Sequence, residues 1–246
     1  MKKTRLDVLL VERGLAESRA KAQALVLAGE VRVGGQVERK ASRGVPKGVE
    51  VEVAAPPRFV SRGGEKLEGA FQRWPDLLSA DGLACLDVGS STGGFTDCLL
   101  QHGARRVMAV DVGTNQLAYS LRSDSRVWVR ENFNARYMTA ADLPETPQLA
   151  VTDVSFISLR LILPPIAAVL AAGGRAVALI KPQFEVGRGN APGGLVRDEN
   201  LRLAARDAIV DFATRELGLK LLGLGESPIR GREMGNVEYL SLWQKP

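Results

Sequence analysis

The sequence predicts an α/β protein in two parts: a doubly wound, largely parallel sheet closed by an antiparallel hairpin, preceded by a small α+β module. Three observations predict it. From Ser61 onward, short apolar runs alternate with segments of helical spacing, the pattern of a parallel sheet covered on both faces. At one junction, Asp87 to Phe95 (DVGSSTGGF), three glycines separate an apolar run from a helix. Residues 1–60 hold twelve Lys/Arg against seven Asp/Glu while the remainder holds 21 of each, so the whole net charge of +5 sits in the first quarter.

Composition narrows the class. With 45% hydrophobic and 25% charged residues the 246-residue chain is that of a globular protein able to hold a large core and a small one. Two cysteines outside C-x-x-C spacing give neither a disulfide scaffold nor a cysteine-based zinc site, and no metal is expected. The single histidine, His102, stands before Gly103 and reads as a helix-terminus residue. No signal segment is visible, and the longest uncharged run, Leu161 to Gly174, is broken by Pro164-Pro165 and short of the ~20 residues that span a bilayer. A cytoplasmic protein is expected; nothing sets the oligomeric state, and a monomer suffices.

In the basic quarter, Leu6, Leu9 and Leu10 have helical spacing stopped by Gly14. Ser18 to Ala28 forms a second helix, with Ala20, Ala24, Leu25 and Ala28 inward, Arg19, Lys21 and Gln23 outward, and Gly29 at its end. VRVGGQVERK then alternates around a Gly34-Gly35 turn, and Val49 to Val53 is a period-two strand. This order, with SRAKAQALVLAGEVRVGGQ across it, resembles the S4-type RNA-binding module. The resemblance implies binding of folded RNA by shape and phosphate, with Arg5, Arg19, Lys21, Gln23, Arg32 and, beyond the module, Arg62 as its contacts. The module spans residues 1–55, and a connector of residues 56–62 begins with the semi-rigid pair Pro56-Pro57.

Residues 63–246 then read as helix 63–73, strand 83–88, helix 94–102, strand 106–111, helix 115–121, strands 127–131 and 149–153, helix 159–171, strand 175–181, helix 199–217, and strands 219–225 and 237–243. A closing hairpin on such a sheet resembles the plan of class I, Rossmann-like methyltransferases. The glycine loop offers Asp87, Gly89, Ser90, Ser91, Thr92, Gly93, Gly94 and Phe95 to a cofactor. It is not a phosphate loop, since Phe95 stands where Lys-Ser/Thr would follow the last glycine, and G-x-G-x-x-G is absent. An acid, glycines and no lysine suit an adenosine carrying a cationic sulfonium, S-adenosylmethionine. Asp111, ending the next strand, suits the ribose hydroxyls, and Glu131 and Asn132, ending the third, suit the adenine.

Candidates for chemistry lie at later strand ends: Asp153 in TDVSF, Lys181 in IKPQFE and Glu238 in NVEYL, with Lys66 in SRGGEKL. Each alone reads as a salt-bridge or surface residue. Lys181, however, emerges from the apolar run Ala176 to Ile180 at the active edge. Cys85 and Cys98 flank the loop within apolar segments and read as packing residues. Together, Lys66, Asp153, Lys181 and Glu238 resemble the Lys-Asp-Lys-Glu tetrad of FtsJ-type RNA 2′-O-ribose methyltransferases. With the RFVSRGGEKL junction, the whole chain resembles the TlyA family of bacterial rRNA (cytidine-2′-O)-methyltransferases, long called haemolysins.

That resemblance implies methyl transfer from S-adenosylmethionine to a ribose hydroxyl of rRNA, with rRNA or a ribosomal subunit as partner. A lysine serves as base only when a second cation and burial lower its pKa. Lys181 is therefore expected as the base or the hydroxyl-orienting group, Lys66 as its neighbouring cation that positions the ribose or phosphate, Asp153 as its orienting group near the methyl donor, and Glu238 as the holder of a lysine or the substrate. A non-catalytic RNA-binding assembly factor and a membrane-active haemolysin are the alternatives, the latter with no span or amphipathic cationic helix to support it.

Overall fold

A computed structural model of the chain describes residues 3–54, 57–187, 189–231 and 234–246; Ala55 and Pro56, where the module was expected to end and the connector to begin, lie outside these. The chain divides into two units, residues 1–58 and 59–246. Phe59, within the expected connector, is buried as part of the second unit.

The first unit runs β1 (Lys3–Arg5), α1 (Leu6–Glu12), α2 (Arg19–Ala28), β2 (Val31–Val33), β3 (Gln36–Val37), β4 (Gly44–Pro46) and β5 (Val51–Val53). β2 lies between β3 and β5, antiparallel to both, and β1 pairs antiparallel with β4. Ser18 caps α2 by accepting the Lys21 N–H at 3.2 Å, and Gly29 ends it with φ +79°. The inward face of α2 differs from expectation. Ala20, Ala24 and Ala28 are exposed and Leu25 is half-buried, while Ala22 and Val26 meet the core of Leu6, Leu9, Leu10, Val31 and Val45. Turning the helix this way buries the larger Val26 side chain, which removes more apolar area from water than an alanine would.

The second unit contains α3 (Gly63–Arg73), β6 (Ala84–Val88), α4 (Gly94–Gln101), β7 (Arg106–Val110), α5 (Tyr119–Arg122), β8 (Val127–Arg130), β9 (Leu149–Thr152), α6 (Leu163–Val169), β10 (Arg175–Ile180), α7 (Pro182–Glu185), α8 (Glu199–Arg215), β11 (Lys220–Glu226) and β12 (Tyr239–Gln244). Its seven strands take the order β11-β12-β10-β9-β6-β7-β8. All pairs are parallel except those made by β12, which inserts between β10 and β11 and runs against both. Chain order reverses between β6 and β9, which places the ligand-binding crevice of such a sheet at their carboxyl ends. Core side chains fill both faces: Leu86, Met108, Ile166 and Trp243 on one, Leu67, Leu99, Val107 and Leu179 on the other.

Two helices depart from expectation. The helix expected over 115–121 shrinks to α5, because the Glu131 carboxylate accepts the Asn115 and Gln116 N–H groups at 2.9 and 3.1 Å and holds them in a loop. The helix expected over 159–171 breaks into a 3₁₀ turn, Leu159–Leu161, followed by α6. Pro164 and Pro165 fall in the first turn of α6, where a missing N–H costs nothing. Among the described residues no helix is long and apolar enough to cross a membrane.

Candidate active site

Three strand ends converge at the switch. Asp153 follows β9, Lys181 follows the neighbouring β10, and Glu238 precedes β12. Because β12 is antiparallel, its beginning lies at the same edge as the carboxyl ends of the others, with Ile180 opposite Tyr239. Lys66 enters from α3. The four side chains form a chain of alternating charge: Lys181 Nζ to Asp153 Oδ1 at 2.5 Å, Asp153 Oδ2 to Lys66 Nζ at 3.3 Å, and Lys66 Nζ to Glu238 Oε2 at 2.8 Å. Lys66, Lys181 and Glu238 are buried. Lys66 does not meet Lys181 directly: the Asp153 carboxylate lies between the two ammonium groups and pairs with both.

Three cavities meet at this chain. One of about 580 Å³ is lined by Gly89, Ser90, Ser91, Thr92, Gly94 and Phe95, with Arg62, Lys66, Asp153 and Lys181. A second, about 550 Å³, lies on the other side of Gly89 and Ser91, between Asp111 and an apolar slot of Val112, Phe133, Ile157 and Ile162. The third, about 390 Å³, joins Lys66, Lys181 and Glu238 to Phe156, Gln183, Phe184 and Asn236. Gly89 takes φ +80°, and a Cβ there would stand 2.9 Å from Val154 Cγ1, so the loop closes over β9 only without a side chain. At Gly94 a Cβ would come within 2.7 Å of the Gly64 nitrogen, which lets α3 and α4 start against each other.

The loop residues divide. Gly93 turns away from the cavities towards Leu117 and Leu121, where a Cβ would collide at 2.8 and 2.3 Å. Asp87 is wholly buried, lines none of the three cavities, and accepts the Thr96 hydroxyl at 2.7 Å. It braces the start of α4 beneath the loop instead of meeting a ligand. Burial pushes its carboxyl up to about 7, against the Thr96 hydrogen bond and helped by the nearby Asp153 and Asp111 charges. Asp111 borders the second cavity, and its oxygens accept the Ser91 and Gly113 N–H groups at 2.8 and 2.7 Å. Each oxygen keeps a lone pair for a further donor.

Glu131 and Asn132 are not in the cavity. Besides the loop N–H groups, Glu131 holds Arg122 at 2.6 Å, and these bonds, led by Asn115, keep its carboxyl below the usual range. Asn132 accepts the Thr114 hydroxyl at 2.6 Å. The next two residues, Phe133 and Asn134, line the slot in their place, since Asn132 takes φ +54° and redirects the chain. Sequence reasoning stopped at the strand end; Phe133, an aromatic just past it, was the available signal.

Cys85 is buried, which pushes its thiol up to about 12, and Cys98 is buried too. His102 ends α4, pairs with Glu68 at 2.7 Å and stacks on Phe71 with ring centres 3.8 Å apart. Glu68, Cys98 and His102 stand close enough to suggest a metal, but the pairing between Glu68 and His102 accounts for the cluster.

In the first unit, the expected RNA contacts Arg5, Arg19 and Gln23 converge on one buried carboxylate, Asp7, at 2.9, 3.2 and 2.9 Å. These bonds, led by that of Arg5, hold Asp7 well below the usual carboxylate range. Arg5 and Arg19 nevertheless keep about half their side-chain surface exposed, at 49% and 58%. Lys21 and Arg32 are exposed, Arg32 donating to the Gly35 carbonyl at 3.0 Å. Arg62, also exposed, lies in the second unit, at the rim of the loop cavity.

Comparison with known families decides the class: residues 59–245 match the FtsJ-like methyltransferases. The chain belongs to that family. Residues 4–51 of this FtsJ-like methyltransferase match the S4 domain. Among curated relatives, "16S/23S rRNA (cytidine-2'-O)-methyltransferase TlyA" of Mycobacterium tuberculosis is 43% identical over 98% of this chain and 90% of its own. "Hemolysin A" of Brachyspira hyodysenteriae is 44% identical over 96% and 98%. The solved structure "Putative hemolysin from Streptococcus thermophilus" superimposes with a TM-score of 0.76 at 44% identity, covering 100% of this chain and 89% of that one.

Proposed function

We propose that this FtsJ-like methyltransferase is an rRNA (cytidine-2′-O)-methyltransferase that takes its methyl group from S-adenosylmethionine in the cytoplasm. The observation that carries the reading is the charge chain Lys181–Asp153–Lys66–Glu238 at the meeting point of the loop cavity and the third cavity. A ribose hydroxyl is a weak nucleophile, so transfer needs its oxygen held in line with the methyl group and its proton removed as the bond forms. Lys181 meets both needs from the third cavity. Lys66, shared between Asp153 and Glu238, fixes Asp153 and with it Lys181. The name of the Mycobacterium tuberculosis relative supports rRNA and cytidine as the acceptor.

The residues present fit the methyl donor. The two cavities sharing Gly89, Ser91 and Asp153 offer a polar compartment beside the loop and an apolar slot beside Phe133, with Asp111 at the slot's edge. Asp111 would hold the ribose, Phe133 and Ile157 the adenine, and Gly89, Ser90, Ser91, Thr92 and Gly94 the methionyl part. When bound, the donor supplies an electrophilic methyl on a cationic sulfur. In the first unit, Asp7 holds the outward-facing Arg5 and Arg19 in place for rRNA phosphates, and the exposed Lys21 and Arg32 add further positive charge.

Incubation with labelled S-adenosylmethionine and ribosomal subunits, followed by nucleoside mass spectrometry, tests the reading. 2′-O-methylcytidine is the expected product; label on a base, or on no RNA, refutes it. Absence of transfer together with tight rRNA binding would favour the assembly-factor alternative.

A further inference from the structure

We infer that Ser155 is a positioning residue that orients the Lys181 amine towards the acceptor hydroxyl; this inference rests on the proposed methyl transfer. Ser155 is the one residue, among those described, that lines all three cavities. It sits where loop, slot and acceptor compartments meet. Its Oγ accepts a hydrogen bond from Lys181 Nζ at 2.8 Å, while Asp153 takes the same nitrogen at 2.5 Å.

The consequence is stereochemical. An ammonium group has three N–H bonds at tetrahedral corners. Ser155 holds one corner by a directed hydrogen bond, while the contact with Asp153 is an ion pair, so rotation about Cε–Nζ is set by Ser155 and a corner is turned to a substrate oxygen. Without Ser155 no N–H is directed in this way, and the amine turns about that bond. The two partners also differ in kind. The Asp153 carboxylate pairs with the charge, whereas the Ser155 hydroxyl accepts an N–H from the ammonium and from the neutral amine alike, which leaves the amine's lone pair free to face the acceptor hydroxyl. Ser155 therefore keeps Nζ in place on both sides of the proton transfer. In that step the 2′-oxygen forms a bond to the methyl carbon and the carbon–sulfur bond breaks, leaving a neutral thioether. The hydroxyl proton passes to Lys181, which becomes an ammonium.

The backbone around Ser155 is built for this placement. The next residue, Phe156, adopts φ +64°, a left-handed conformation that a non-glycine side chain disfavours. Sharp turning at this point leaves both Ser155 and Phe156 exposed. A strained turn that presents a hydroxyl to a buried lysine is local conformational cost retained at a site of chemistry.

The test compares Ser155→Ala and Ser155→Thr with the unmodified full-length protein, on ribosomal subunits with labelled S-adenosylmethionine. Ser155→Ala is expected to lower kcat about 10- to 100-fold while KM for the methyl donor stays within about twofold. The pH midpoint of kcat moves lower, because the bond lost is the charge-assisted one to the ammonium. Ser155→Thr, which restores the hydroxyl, returns most of the rate. Unchanged kcat in Ser155→Ala overturns the inference, as does a fall without displacement of the pH profile or without rescue by threonine. Failure of the unmodified protein to methylate any ribose refutes the proposed function instead, so the two failures are distinguishable. Ser155 is exposed, and thermal melting of both variants verifies that they fold.

Discussion

Each unit buries an aspartate completely, and the two have opposite properties. Asp7 is surrounded by Arg5, Arg19 and Gln23 and is held well below the ordinary carboxylate range. Asp87 has a threonine hydroxyl for its side-chain partner, faces the charges of Asp153 and Asp111, and is pushed up to about 7. Neither side chain is exposed, yet the two carboxyls move in opposite directions, led by the Arg5 hydrogen bond at Asp7 and by desolvation at Asp87. The difference follows function. In the proposed reading Asp7 arranges cations for a polyanion, whereas Asp87 supports a loop from below. Asp153 is paired with two lysines and borders two cavities.

Breaking the charge chain has the largest expected effect. Lys181→Ala should lower methyl transfer by about 10² to 10⁴, while rRNA binding, read by filter retention, and donor binding, read by calorimetry, persist. Near-normal turnover would remove Lys181 from the chemistry. Asp111→Ala is expected to weaken donor binding by roughly 10- to 100-fold, the loss of hydrogen bonds to one charged group. Calorimetry with S-adenosylmethionine measures this, and an unchanged Kd would place the ribose elsewhere.

Asp7→Asn should reduce rRNA affinity by about tenfold, the equivalent of roughly one lost phosphate contact at moderate salt, yet leave kcat at saturating RNA intact. It also tests the sign of the pH dependence. A lowered carboxyl contributes stability that is complete above about pH 4 and lost as pH falls below it. Melting curves of the variant and the parent should therefore converge in acid. Asp87→Asn is the smallest and has the opposite sign. A raised carboxyl stabilises most below about pH 4, and that contribution is lost as pH rises through about 7. The asparagine variant, which keeps an acceptor for Thr96, should lose less melting temperature between pH 4 and 8 than the parent.

Much of the site was legible because strand ends are legible. Asp153 and Lys181 close apolar runs, and the spacing of such runs already puts their ends at one edge of a parallel sheet. Glu131 and Asn132 followed the same rule and failed it: a left-handed turn at Asn132 passed the slot to Phe133 and Asn134, and Glu131 was drawn into organising residues 115 and 116. Asp87 lines none of the three cavities because all five residues of β6 are buried, the acid among them. For α2, alanine spacing misled because the burial of Val26 outweighed it.

By itself the sequence determined most of the elements, the glycine loop and the basic first quarter, all properties of neighbouring residues; β1, β4 and α7 came only with the structure. The tertiary structure alone decided that β12 inserts between β10 and β11, which turns Glu238 to the edge where Lys66 can reach both it and Asp153. It alone placed Ser155 where three cavities meet. Periodicity reports which face of an element is apolar, and a pairing between strands distant in the chain is chosen by the packing of the whole sheet.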